Sequence, residues 1–267
     1  MGIRELLRGS VDWTRLEALG VELCRRYDRE EIRIEFLDAD NWLSTPFVVD
    51  DDLFVKVVTQ QNSLVHGLFT AGRNLGAFST GTPGFFEHVE GPATMVEREL
   101  VATERMRAVG LNAPEPVEAF EFEGLGVLVL EFLPSFRTLG ELSDDTVAAF
   151  VEPLFGLLSR LHDAGLAHGD LRAENVLLSG DELYFVDATT VREDGMDSAR
   201  AYDLACAMGV LAPRVGTPPT VAAAGEHYDT GTLIAARDFL DFVSVRPDHA
   251  FDANRLKGEL EKVAAGQ

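Results

Sequence analysis

Residues 168–178 read HGDLRAENVLL, and nineteen residues after His168 comes Asp187, in LYFVDATTV (183–191). The apolar runs Val176–Leu178 and Leu183–Val186 flank Ser179-Gly180-Asp181, a strand–turn–strand pattern. Asn175 stands where the first strand begins and Asp187 where the second ends. Antiparallel pairing brings such ends together, with opposed Cα atoms about 5 Å apart. Asp170 lies five residues before Asn175, on the turn that enters the hairpin. An amide oxygen beside a carboxylate suits a hard divalent cation such as Mg²⁺, and a second carboxylate nearby can orient a hydroxyl. Taken singly, each of the three reads as an ordinary turn residue. Their spacing between apolar strands is what joins them.

The rest of the chain bounds what such a site serves. Its 267 residues, 46% of them hydrophobic, suffice for one large domain or two small lobes with proper cores. No apolar run approaches the ~18 residues of a membrane span, and the opening MGIRELLRGS carries no signal-peptide core; a cytoplasmic protein away from membranes is expected. Cys24 and Cys206 form neither a disulfide framework nor a metal pattern, and both read as buried small hydrophobes. Forty-five acidic residues against 23 basic ones give a net charge of −22. That surface repels bare nucleic acid, and spread acids with little lysine suit a high-salt cytoplasm where screening removes self-repulsion. Lysine occurs only three times, at 56, 257 and 262. Lys56 therefore invites a specific explanation.

Residues 3–28 carry helical spacing, with a turn near Gly9-Ser10, and 1–30 read as a helical N-terminal extension. EIRIEFL and TPFVVDDDLFVKVV read as strands, the latter a hairpin turning at Asp50-Asp51-Asp52. Residues 59–92 are glycine-rich and read as a long flexible loop, with at most a short helix at 62–70. Residues 94–109 read as a helix opened by a Thr94–Glu97 capping box after Pro92 and closed by Gly110. EAFEFEGLGVLVLEFLP gives two strands turning at Glu123-Gly124, and a short link at 131–135 follows. Residues 143–164 form a helix with the stripe Val147, Phe150, Val151, Leu154, Leu157, Leu158 and Leu161. The remainder from 197 is helical, interrupted by a Pro/Gly/Ala-rich stretch at 212–225. The expected architecture is α+β: a strand-rich part at 31–133 around one central helix, then a mostly helical part at 134–267.

Two charges break apolar patterns. In LFVKVV, Leu53, Val55 and Val57 share one face and Phe54 and Val58 the other, which Lys56 interrupts; a lysine there must snorkel or find an anion. In the 94–109 helix, Glu99 interrupts the inward stripe of Met95, Ala102, Met106 and Val109. It is preferred over Glu97 and Glu104 as a partner for a cation. Asp203 opens an apolar helix in ARAYDLACAMGVL, and reads equally as a helix-start acid.

HGDLRAEN followed by a strand-end aspartate resembles the catalytic and metal loops of protein kinases, and in its particular form those of atypical kinases: RIO kinases, the kinase of the KEOPS tRNA-modification complex, and aminoglycoside-type phosphotransferases. The resemblance spans about 31–211. It implies a two-lobed kinase fold and an ATP- and Mg²⁺-dependent serine/threonine protein kinase of RIO type. Asp170 would be the catalytic carboxylate, with His168 bracing its loop. Asn175 and Asp187 would hold Mg²⁺. Lys56, paired with Glu99, would meet the ATP phosphates. Asp203 would anchor the catalytic loop. The link at Leu130, Glu131 and Leu133 would flank the adenine, and Ser44 or Thr45 (or Asn41) would stand in for the usual glycine-rich loop, since FLDADNWLSTPF has no glycine. Ser63, Thr70, Ser79, Thr80 and Thr82 are candidate autophosphorylation sites or plain loop polars. A protein substrate or partner complex is expected, without direct nucleic-acid binding. Only sixteen residues separate Asp187 from Asp203, short for a peptide-docking activation segment. That leaves two rivals: a small-molecule phosphotransferase, with an acidic pocket built from the helices after 212, and an ATP-binding pseudokinase or ATPase.

Overall fold

A computed structural model of the chain describes residues 11–37, 44–79, 84–87, 91–189 and 191–266. They divide into two compact units: the described residues of 1–71, 88–104 and 114–134, and those of 72–87, 105–113 and 135–267. The first is a sheet with packed helices and the second is mostly helical, the α+β, two-lobed plan of the protein-kinase-like fold.

The strand-rich unit starts from α1 (Trp13–Arg26). The strands β1 (Ile34–Phe36), β2 (Thr45–Val49), β3 (Leu53–Val58), β4 (Pro116–Phe122) and β5 (Leu125–Glu131) form an antiparallel sheet in the order β1-β2-β3-β5-β4. Asp50 and Asp51 both take left-handed backbone, with φ of 52° and 57°, as the tight β2–β3 hairpin needs. Period-two alternation makes both faces apolar. Phe47, Val55, Val57, Val127 and Val129 pack with Leu19 and Leu23 of α1. Val58, Leu128 and Leu130 pack on the other face, with Val96. Lys56 pairs across the strands with Leu128 and so belongs to this second face.

Two expectations about the helices change. Residues 60–79, read as a loop with a short helix at 62–70, form one continuous helix, α2 (Gln60–Ser79). Thr59 and Asn62 cap its start reciprocally: Asn62 N–H donates to Thr59 Oγ1 at 3.1 Å and Thr59 N–H to Asn62 Oδ1 at 2.9 Å. Gly67, Gly72 and Gly76 each cost about 1 kcal/mol in a helix relative to alanine, and they dominated the sequence pattern. Burial of Val65 works against that cost, while the buried Asn62, Ser63 and Thr70 have hydrogen-bond partners in Thr59, Gln60 O and His66. Ser63 and Thr70, 4% and 1% exposed, are thereby withdrawn from kinase reach as folded; Thr80 and Thr82 lie outside the described residues, as do residues 3–10 of the expected first helix. The second helix, α3 (Pro92–Ala108), starts two residues before the expected box. Met95 N–H donates to Gly91 O at 3.2 Å, so Thr94 lies inside the first turn and Glu97 beyond it. Proline in that turn has no N–H to leave unpaired. A Cβ on Gly126 would lie 2.2 Å from Pro92 O, so glycine alone lets the helix start approach β5 this closely. Gly110, at φ 77°, ends the helix as expected.

In the helical unit, Ser143 caps α4 (Asp144–Asp163), whose Val147, Val151, Leu154, Leu158 and Leu161 are buried. A small sheet joins β6 (Arg137–Thr138), β7 (Val176–Ser179) and β8 (Glu182–Phe185). The central helix α5 (Met196–Val215) is buried on almost all sides from Ala201 to Gly209. The four helices α6 (Thr217–Gly225), α7 (Thr230–Arg237), α8 (Leu240–Ser244) and α9 (Ala253–Ala265) complete it. The expected interruption at 212–225 shrinks to Gly216, at φ 92°. Its prolines sit in a helix end or a first turn. Cys206 is buried as expected, but Cys24 is only partly so. No helix among the described residues is long and apolar enough to cross a membrane.

Candidate active site

The helical unit builds the 168–175 loop from below. Asp203, on α5 and fully buried, accepts the N–H of His168 at 2.6 Å and of Gly169 at 2.8 Å. His162 Nε2 lies 3.3 Å from the same carboxylate, and the Tyr228 hydroxyl 3.0 Å from His162 Nδ1. Asp203 is therefore not a helix-start acid: α5 begins seven residues earlier, at Met196, and Asp203 lies in its buried middle. His168 is completely buried; its Nδ1 accepts the Asp170 N–H at 3.3 Å, and its ring stands edge-on to Phe185 at 5.6 Å. Burial pushes its imidazole pKa down against the pull of Asp203, Asp170 and Asp187, so the ring is neutral and braces the loop by packing and one hydrogen bond.

Backbone contacts stitch this loop to the one at 187–189. Val186 N–H donates to Asn175 O at 3.1 Å and Thr189 N–H to His168 O at 2.7 Å. A Cβ on Gly169 would lie 3.2 Å from the Cβ and carbonyl of Thr189, and its φ of 77° is left-handed; both features call for glycine. Asn175 is buried, and its Nδ2 donates to Asp170 O at 2.8 Å. That fixes the amide and reserves its oxygen as an acceptor. Asp187 takes φ 59°, a conformation costly for most residues and frequent at functional positions. One amide oxygen and one carboxylate are a sparse protein donor set. They suit Mg²⁺, which keeps waters and substrate phosphates in its shell. Among the described residues no three His, Cys, Asp or Glu side chains form a fuller metal cage.

Asp170 is ringed by arginines. Arg246 Nη2 donates to its Oδ1 at 2.9 Å, Arg73 Nη1 lies 3.3 Å from Oδ1, and Arg172 Nε lies 3.8 Å from Oδ2. Burial works to raise the Asp170 pKa, but Arg73, Arg246 and Arg172 outweigh it and hold the carboxyl well below the usual range. Sequence reading missed Arg73 and Arg246. Arginine occurs twenty times, three of the 23 Lys+Arg being lysine, so neither stood out as Lys56 did.

In the strand-rich unit, Lys56 and Glu99 meet. Nζ reaches Oε1 at 2.8 Å and Oε2 at 2.9 Å, with side chains 10% and 15% exposed. Glu97 and Glu104 are exposed. Thr103 Oγ1 donates to Glu99 O at 2.9 Å, on the same inward face. Leu130 and Leu133 are buried and Glu131 exposed. The Glu131 N–H donates to Glu115 O at 2.8 Å and the Phe132 N–H to Asp52 O at 2.9 Å. These two N–H groups are thus engaged within the protein. Ser44 is 6% exposed, and its Oγ has no partner among the described residues. Thr45 begins β2, opposite Val57. Asn41 lies outside the described residues.

A cavity of about 670 Å³ in the helical unit is lined by Ala212, Pro213, Phe251, Asp252 and Arg255 among others. Its single carboxylate already caps α9 by accepting the Arg255 N–H at 3.1 Å. It is not the acidic pocket that a cationic small-molecule acceptor would need.

A strand lysine held by a helix glutamate, and a D-x-x-x-x-N loop tied to a left-handed strand-end aspartate, define a protein-kinase-like chain. Within that class the resemblance is to the atypical, RIO-like kinases: residues 88–202 match the family described as RIO domain. The RIO-type serine/threonine-protein kinase Rio1 of Haloferax volcanii is 25% identical over 207 residues, 62% of this chain and 70% of that protein. A probable bifunctional tRNA threonylcarbamoyladenosine biosynthesis protein of Methanosarcina acetivorans is 32% identical over 84 residues, 32% of this chain and 15% of that protein. Among solved structures, the Rio2 kinase of Chaetomium thermophilum in its ADP/Mg²⁺-phosphoaspartate complex aligns at 15% identity and a TM-score of 0.49, covering 96% of this chain and 78% of that one.

Proposed function

We propose that the chain is an ATP- and Mg²⁺-dependent phosphotransferase, an atypical serine/threonine protein kinase of RIO type that transfers phosphate to a protein or to itself. The observation that carries the reading is the stitching of the two loops, with Thr189 bonded to His168 and Val186 to Asn175. It fixes Asp170, Asn175 and Asp187 in one rigid corner of the helical unit. Asn175 Oδ1 and the Asp187 carboxylate would hold Mg²⁺, which when bound neutralises charge on the phosphates. Lys56, kept in place by Glu99, would contact the α- and β-phosphates. The orphan hydroxyl of Ser44, with Thr45 beside it, would supply the donors that the missing glycines leave to side chains. Leu130 and Leu133 would line the adenine site. Asp170 would orient the acceptor hydroxyl. Catalysis of this kind is positioning plus electrostatics, with little covalent chemistry for the protein to perform.

Asp187→Asn removes the charge while keeping a side chain that tolerates left-handed backbone. ATP binding measured by calorimetry should lose its Mg²⁺ dependence in this variant. Affinity equal to wild type, and equally strong with EDTA, would remove Asp187 from the metal site. Similarity to the threonylcarbamoyladenosine biosynthesis protein favours a second reading, in which the chain works inside a protein complex and releases phosphate to water. Free phosphate appearing without labelled protein, stimulated by a co-purifying partner, would select it.

A further inference from the structure

The carboxylate of Asp170 is held from two places outside the RIO-matched stretch. Arg73 comes from α2. Its Nη1 lies 3.3 Å from Asp170 Oδ1 and donates to Gly169 O at 3.2 Å, while its guanidinium lies 4.9 Å from the Phe86 ring centroid. Phe86 is itself pinned by Asn74, which exchanges hydrogen bonds of 2.9 and 3.0 Å with its backbone. Arg246 comes from the segment after α8. Its Nη2 donates to Asp170 Oδ1 at 2.9 Å, its Nε and Nη2 fork onto Asp248 at 2.9 and 2.5 Å, and its Nη1 donates to the Tyr202 hydroxyl. Both arginine side chains are nearly buried, at 11% and 12% exposure. Oδ1 of Asp170 is thus taken twice. Among the described residues, Oδ2 faces only Arg172 Nε at 3.8 Å, beyond hydrogen-bond reach.

We propose that Arg246, with Arg73 as its counterpart, is a positioning residue for Asp170: it engages Oδ1 and so presents Oδ2 to the acceptor hydroxyl. The inference rests on the phosphotransferase reading. It gives a task to the C-terminal segment around Val245–Phe251, which the family match leaves out. Lysine cannot take the place of Arg246, because a single ammonium cannot fork onto Asp248 while also reaching Asp170 and Tyr202. A carboxylate neutralised by neighbouring guanidinium groups is a weak base, so Asp170 acts by orientation more than by taking the proton early.

The test is a double-mutant cycle on Mg²⁺-ATP turnover, read as loss of γ-phosphate, with Arg246→Met, Arg246→Lys, Asp170→Asn and Arg246→Met/Asp170→Asn. It is accompanied by an NMR pH titration of the Asp170 carboxyl carbon in wild type and Arg246→Met, which needs no turnover. Arg246→Met and Arg246→Lys should each lower kcat by about 10²-fold, the scale of a misplaced reacting group, with KM for ATP unchanged. Adding Arg246→Met to Asp170→Asn should change kcat by no more than about twofold, since both act through one carboxylate. The Asp170 titration should move up toward the ordinary carboxylate range in Arg246→Met. Losses that multiply in the double variant, with an unmoved titration, would overturn the proposal. A wild type without turnover whose Asp170 titration still moves would remove the phosphotransferase reading and uphold the positioning contact. Should Arg246→Met fail to fold, Arg73→Met enters the same cycle with the same expectations.

Discussion

At the scale of single residues, the pairing of Lys56 with Glu99 carries the largest energetic consequence. Both side chains are largely buried and bonded at 2.8–2.9 Å. Removing one partner leaves an uncompensated buried charge, costing on the order of 3–5 kcal/mol. Lys56→Met and Glu99→Gln should each lower stability by about that much, and the double variant by less than the sum, measured by denaturant unfolding at fixed salt. Effects additive within about 0.5 kcal/mol would show that the pair contributes nothing jointly. His168 supplies a pH signature. Its folded pKa lies below the ordinary 6.5 because burial disfavours the charged ring. Between that lowered value and 6.5 the unfolded chain binds more protons, so stability is complete above 6.5 and falls as pH drops through the window. His168→Asn keeps an acceptor near the Asp170 N–H and removes the titration. It should flatten the slope of Tm against pH there; an identical slope would contradict the account.

At the scale of elements, what was legible followed from periodicity, and what was not followed from glycine. Strands β2, β3 and β5 declared themselves through apolar faces, and the one lysine in LFVKVV marked its own position. The 168–187 hairpin was readable because polar residues stand at both ends of short apolar strands. Helix α2 was readable only as a short piece at 62–70, because Gly67, Gly72 and Gly76 imitate a loop while its cap, Thr59 with Asn62, replaces the usual Glu or Gln at the third position. Thr59→Ala should therefore cost about 1 kcal/mol in thermal or denaturant unfolding; no change would mean that burial alone holds the helix. The start of α3 was misplaced by two residues because a T-x-x-E pattern and a first-turn proline compete, and Pro92 prevailed. Arg73 and Arg246 were invisible for a different reason: their partner Asp170 is 97 residues from the first and 76 from the second, by their numbers in the chain, and no local pattern encodes that.

At the scale of the whole molecule, two separate compact units each complete their own part of the machinery. The strand-rich unit holds the Lys56–Glu99 pair and the helical unit holds the stitched Asp170, Asn175 and Asp187 corner. The net charge of −22 surrounds both with an acidic field that salt screens. Assays therefore belong across a range of salt concentrations. The most direct measurement of the central claim is incubation of the protein with γ-³²P-labelled ATP and Mg²⁺, in wild type and in Asp170→Asn. The account predicts Mg²⁺-dependent labelling of the protein or of an added protein acceptor. Asp170→Asn should reduce it by about 10²-fold or more while ATP binding persists. Mg²⁺-independent ATP binding with no phosphate leaving ATP in either protein, at any salt concentration, would contradict it.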